Sequence, residues 1–106
     1  MSTLSWETEH TGADLSVTLR GELDLASSKR LEDELMRLEG EAPQLITLDL
    51  RGVPFIDSTG LSALINADGR ARKADRGLQI VAGEGPARRI LRTVGLLERL
   101  DVVDAT

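Results

Sequence analysis

An alternation of short apolar strands with amphipathic helical segments predicts the α/β class, one sheet covered by helices. Residues 14–20 alternate polar with apolar through Leu15, Val17 and Leu19, the period of a half-buried strand. Residues 45–50 and 78–82 are short, mostly apolar runs of the kind that fill a sheet interior, and the segments around them repeat apolar residues at helical spacing. A chain of 106 residues has room for one hydrophobic core, so a single domain over 1–106 is the expected organisation. The implied order is ββαβαβα, followed by a short strand or a helical tail.

Residues 3–8 carry a weaker alternation around Leu4 and Trp6, and Thr11-Gly12-Ala13-Asp14 joins them to the second strand as an antiparallel hairpin. Trp6, with its large apolar area, reads as a core or rim residue of that first strand. Leu31, Leu35 and Leu38 form the apolar stripe of a first helix over residues 27–39, with Lys29, Arg30, Glu32, Asp33 and Arg37 on the opposite arc. Asp24 and Ser27 are the two candidates for its cap, and Gly40 with Pro43 stops it. A second helix begins after Asp57 or Ser58 and reaches about residue 74; Leu61, Leu64 and Ile65 supply inward bulk, while Gly60, Ala63, Ala67 and Ala71 permit close approach. Pro86 suits the first turn of a third helix, where its missing N–H would have no acceptor anyway. There Ala87, Ile90, Leu91 and Val94 face inward, Arg88, Arg89 and Arg92 face water, and Gly95 ends the helix. Val102 and Val103 offer a last strand. Right-handed crossovers gather the loops after Leu50 and Ala82 at the carboxyl ends of the strands, where polar sites collect.

Composition narrows the function classes. The absence of Cys excludes disulfides, thiol catalysis and thiolate metal sites. A formal net charge of -5 disfavours direct nucleic-acid binding, and Trp6 and Phe55 are too few aromatics to stack bases. Arg88, Arg89 and Arg92, with Arg99 farther on, make the best basic face and read as a solvated helix surface. Residues 1–53 hold 11 acidic and 5 basic side chains against 7 and 8 in residues 54–106, so the first half offers the acidic surface to a partner. No run approaches the ~20 apolar residues that cross a bilayer, and residues 1–6 lack the features of a secretory signal, so a cytoplasmic protein without membrane insertion is expected. His10 has no orienting neighbour and reads as a turn residue. Gly83-Glu84-Gly85-Pro86 lacks the ending of a phosphate-binding loop and reads as a turn, and no cofactor or metal is expected.

The most informative stretch is Val53-Pro54-Phe55-Ile56-Asp57-Ser58-Thr59-Gly60-Leu61, which joins an apolar strand to an amphipathic helix. As N-cap, Ser58 would accept an amide hydrogen bond from Gly60 or Leu61. A phosphate on the same hydroxyl would meet exposed first-turn amides, and its roughly 1.5 to 2 negative charges beside Asp57 would change the surface strongly. Local chemistry favours the cap and permits the switch. Asp24 and Asp57 can meet in space, but no nucleophile or ligand framework accompanies them, so caps and partner contacts outrank catalysis and no catalytic residue is expected. Asp49 ends the central strand, where it can hydrogen-bond the following loop.

Gly21-Glu22-Leu23-Asp24, the strand Leu45-Ile46-Thr47-Leu48-Asp49-Leu50 and Asp57-Ser58-Thr59-Gly60-Leu61 together resemble the STAS domain family, in particular the bacterial anti-sigma factor antagonists. The likeness runs over nearly the entire chain and takes in the Gly83-Glu84-Gly85-Pro86 turn and the Gly95-Leu96 junction. It implies a four- or five-stranded mixed sheet with helices mainly on one side. It also implies a non-enzymatic protein that binds an anti-sigma factor with kinase activity and so releases a sigma factor. In that scheme the kinase phosphorylates Ser58, which weakens the complex, and a metal-dependent phosphatase reverses the modification. Asp24 falls in the family's polar loop near the phosphorylation site, and Asp57, Thr59 and Gly60 match the motif's flanking positions, as partner-binding or switch-loop residues. Thr59 stands where many members have Ser and preserves a hydroxyl. The alternative is a STAS interaction module of a transporter-associated or other signalling assembly, using the same surface without a kinase.

Overall fold

The computed structural model describes residues 4–104. Strand and helix alternate in the predicted order: β1 (Ser5–Thr11), β2 (Asp14–Arg20), α1 (Leu25–Glu39), β3 (Leu45–Gly52), α2 (Ser58–Lys73), β4 (Gly77–Val81), α3 (Pro86–Thr93) and β5 (Val102–Val103). The first strand begins and ends later than its alternation suggests, and Thr3 lies outside the described residues. Helix α1 starts two residues before the expected boundary, because its cap is Asp24 and not Ser27.

The sheet runs β1-β2-β3-β4-β5, with β1 antiparallel to β2 and the remaining neighbours parallel. This is the mixed sheet expected, with five strands. The hairpin turns on two residues, and a positive φ of 62° at Gly12, with none at Ala13, is the signature of a type II′ turn. Because sequence order equals spatial order in β2 to β5, right-handed crossovers put all three helices on one face.

Register explains which side chains make the core. Leu15, Ile46 and Leu78 stand in one row across three strands, and Val17, Leu48 and Ile80 in the next. All six are buried and pack in one cluster with Leu31, Leu35 and Leu38 of α1, Leu64, Ala67 and Ala71 of α2, and Ala87 and Leu91 of α3. The alternate rows, Ser16-Thr47-Gln79 and Thr18-Asp49-Val81, form the other face. There Gln79 Nε2 donates to Thr47 Oγ1 at 3.0 Å. A half-polar outer face is what the alternation in these strands dictates.

Two expectations for α3 are corrected. Val94 is half-exposed, because the helix ends at Thr93 and Val94 is its C-cap. Arg88 is not part of an open basic face: its side chain is mostly covered, with Nη1 at 3.4 Å from Gly83 O and 3.6 Å from Asp104 Oδ1. Trp6 sits at the rim of the core with the Arg30 guanidinium 5.1 Å over its ring. His10 lies near the end of β1 and meets Glu41 at 3.1 Å.

Candidate functional site

Past the regular ladder of β2 and β3 the two segments stay paired. The Gly21 amide donates to Gly52 O at 3.0 Å, the Leu23 amide to Phe55 O at 2.9 Å, and the Asp57 amide to Leu23 O at 3.1 Å. Leu23 and Ile56 form a parallel bridge, and both are buried. This short extension fixes the next residues side by side. Asp24 opens α1 and Asp57 opens α2, so the two carboxylates that sequence could only suggest as neighbours are brought together as twin caps.

Asp24 Oδ1 accepts the Ser27 amide at 3.1 Å, and the Ser27 hydroxyl accepts the Asp24 amide at 2.9 Å, completing a capping box. The Ser27 amide and hydroxyl hold the Asp24 carboxyl below the usual carboxylate range, against opposing effects of burial and of the Asp57 charge. At α2, Asp57 Oδ1 accepts the Thr59 hydroxyl and, at 3.0 Å, the Gly60 amide. The Thr59 hydroxyl and then the Gly60 amide hold this carboxyl low as well.

The cap at Asp57 corrects the reading of Ser58 as N-cap. Ser58 is the first residue of α2 and is exposed, whereas the capping oxygen belongs to the residue before it. The Leu23–Ile56 bridge sets Asp57 at the helix start, where its carboxylate complements the helix dipole. The first-turn amides expected to greet a phosphate are in part already satisfied by Asp57.

Gly60 is where the motif needs a glycine. A β-carbon there would lie 2.8 Å from Ile56 Cγ2, 2.8 Å from Leu23 Cγ and 2.9 Å from Leu23 O, so α2 packs directly on the bridge. Thr59 turns the other way, and its Oγ1 lies 3.4 Å from Ser28 Oγ on α1. Farther along the same pair of helices, Asn66 Nδ2 donates to Glu32 at 3.1 Å, and Arg70 pairs with Glu39 at 2.8 Å. The helices therefore run side by side from their caps.

Between them lies a groove of about 440 Å³, with Ser58, Thr59 and Ser62 on α2 and Leu25, Lys29 and Met36 among its α1 lining. Leu25 is 72 % exposed and Met36 48 %, and Phe55, just before the bridge, is 46 % exposed. Sequence reasoning did not single these out. The available signal was that Leu25 and Met36 fall off the Leu31-Leu35-Leu38 stripe that meets the core.

Other candidates lie elsewhere. Asp49 is on the outer sheet face, where the Arg51 guanidinium binds it at 2.7 Å and lowers its pKa. Gly83-Glu84-Gly85-Pro86 serves as the turn into α3, whose N-cap Gly85 brings no side-chain hydrogen bond. Among the described residues no cluster of three or more His, Asp or Glu could hold a metal ion, and no helix is long and apolar enough to cross a membrane.

The STAS domain model matches residues 5–106. An anti-sigma factor antagonist from Mycobacterium paratuberculosis has a similar structure, with 26 % identity and a TM-score of 0.86 over 97 % of this chain and 87 % of that one. A sulfate transporter family protein from Wolinella succinogenes is also 26 % identical, with a TM-score of 0.71 over 89 % and 79 % of the two chains. The Bacillus cell fate determinant SpoIIAA in its phosphorylated form shares the fold at 21 % identity, with a TM-score of 0.68 over 96 % and 92 %. No curated protein matches in sequence. The match over almost the full length, on a five-stranded mixed sheet with its helices on one face, establishes that this chain belongs to the STAS domain family.

Proposed function

We propose that this protein is an anti-sigma factor antagonist: it binds an anti-sigma factor with kinase activity, frees the sigma factor, and loses its hold when Ser58 is phosphorylated. The observation that carries the reading is an exposed hydroxyl, Ser58, that follows the Asp57 cap and borders a groove it shares with the exposed Leu25 and Met36. Large apolar side chains left in water next to fixed charges suit a docking patch. Asp24 and Asp57 would supply directional contacts, Thr59 and Gly60 would hold the loop in shape, and a phosphate would add about 1.5 to 2 negative charges at its middle. The protein contributes a surface and an acceptor hydroxyl; the transfer chemistry belongs to the kinase, and reversal to a metal-dependent phosphatase. Identity is 26 % to both, and the fuller superposition on the Mycobacterium paratuberculosis antagonist, a TM-score of 0.86 against 0.71, supports this assignment over the transporter-associated alternative.

Incubation with a purified anti-sigma kinase and ATP should add one phosphoryl group, mapped to Ser58 by peptide mass analysis and absent in Ser58→Ala. Calorimetric titration should then show at least about tenfold weaker binding of the phosphorylated form, equivalent to ~1.4 kcal/mol. Equal affinity of the two forms, after verified phosphorylation, would reject the switch.

A further inference from the structure

A phosphate on Ser58 would enter a neighbourhood already rich in negative charge. Asp57 precedes it and occupies both the Gly60 amide and the Thr59 hydroxyl. Asp24 caps the adjacent helix, and Glu32 and Asp33 line the groove that Ser58 borders. Lys29 is the one cation among the residues lining that groove. Its side chain is 82 % exposed, and its ammonium reaches only Asp33, at 3.7 Å. Such a surface pair is worth little, and the flexible four-carbon stem lets the ammonium leave it. Glu32 is otherwise engaged by Asn66. The near contact of Ser28 with Thr59 sets the neighbouring positions, Lys29 on α1 and Ser58 on α2, on the same opening.

We infer that Lys29 receives the Ser58 phosphate within the same molecule, leaving Asp33 and reaching across the groove from α1 to α2. The inference rests on the reading of Ser58 as the modified residue. It supplies a route by which one phosphate changes the docking surface with the sheet and its core at rest. A charge-assisted bridge forms, and the lysine stem covers part of the groove floor between Leu25 and Met36. A partner then meets an occupied groove as well as an altered charge.

The test uses the full chain with phosphoserine incorporated at position 58 during synthesis, so no kinase enters the result. Phosphorus NMR follows the second ionisation of the phosphate, ordinarily near ~6. Lys29→Gln should raise that pKa by roughly 0.3 to 1 unit through loss of an opposite charge. The difference should shrink in ~1 M salt, where screening acts over about 3 Å. Lys73→Gln, at the far end of α2, should leave the value unchanged. Equal pKa values in the parent and Lys29→Gln, or equal displacement by Lys29→Gln and Lys73→Gln, would overturn the inference. A partner whose affinity ignores phosphorylation would instead reject the functional reading and leave the bridge standing.

Discussion

The first turns of α1 and α2 are built on one plan and finished differently. Each begins with an aspartate whose carboxylate accepts the amide three residues on, Ser27 for Asp24 and Gly60 for Asp57. At α1 the third residue, Ser27, is fully buried and closes the capping box, and the first residue is the exposed Leu25. At α2 the third residue has no side chain, the helix drops onto the Leu23–Ile56 bridge, and the first residue is an exposed serine. One hydroxyl is sealed into structure and the other stands open to solvent. Cap strength is therefore separable from function, and the separation can be tested at each position.

The largest effect should come from filling the space that α2 needs. Gly60→Ala places a methyl within 3 Å of two core side chains and a backbone carbonyl, so α2 must lift from the bridge. Overpacking of this kind costs about 3 kcal/mol, at the upper end of the usual range because a backbone atom cannot rotate away. Urea unfolding should show a lower midpoint at unchanged slope. An unaltered midpoint would mean that α2 does not rest on Leu23.

Breaking the sealed hydroxyl should cost less. In Ser27→Ala the Asp24 amide loses its acceptor, and the Glu22 carbonyl, 2.8 Å from Ser27 Oγ, loses its donor. Leaving such groups unpaired in a partly buried place costs about 1 to 2 kcal/mol. The same urea experiment measures it, and Ser27→Thr, which keeps the hydroxyl but adds a methyl to a fully buried site, should not restore full stability.

These positions also show what was legible in the sequence. Strand and helix order followed from the alternation of β2, from the short apolar runs of β3 and β4, and from Gly and Pro punctuation, because these strands supply the core rows Leu15-Ile46-Leu78 and Val17-Leu48-Ile80. The Asp57-Ser58-Thr59-Gly60 segment stood out by its motif. Which residue caps α2 was not, since Asp and Ser are nearly equal as caps and only the Leu23–Ile56 pairing fixes where the helix starts. The groove was hidden for a related reason. Leu25 and Met36 look like ordinary helix residues until the position of α2 shows that it leaves Leu25 exposed and Met36 half-exposed beside the groove.

Acid should loosen both helix starts. The folded carboxyls of Asp24 and Asp57 are held below the unfolded range near ~4, so the unfolded chain takes up protons first. Their stabilisation is fully present above that range and is lost as pH falls through the folded values. The urea midpoint should stay level from neutral pH to about pH 5 and decline below ~4. Asp57→Asn should make the decline shallower, because one of the two linked carboxyls is gone. Carbon NMR should also show Asp24 titrating lower in that variant, since the Asp57 charge otherwise raises it. An unchanged Asp24 titration would mean that the twin caps are too well screened to sense one another.

The smallest expected change in stability carries the most information. If Ser58 capped α2, Ser58→Ala would remove an acceptor from the first turn and destabilise by about 1 kcal/mol, the usual cost of losing a serine cap. With Asp57 as the cap and Ser58 exposed at the next position, the variant should unfold within about 0.5 kcal/mol of the parent, as surface substitutions do. Alanine is also a good residue inside a helix, which pulls the small difference toward zero. A midpoint that does not move, together with complete loss of phosphorylation, would place Ser58 outside the stability of the fold. It would also explain how the position can accept a phosphate without unfolding the helix it begins: the carboxylate of Asp57 keeps the cap in both states, and only the surface changes.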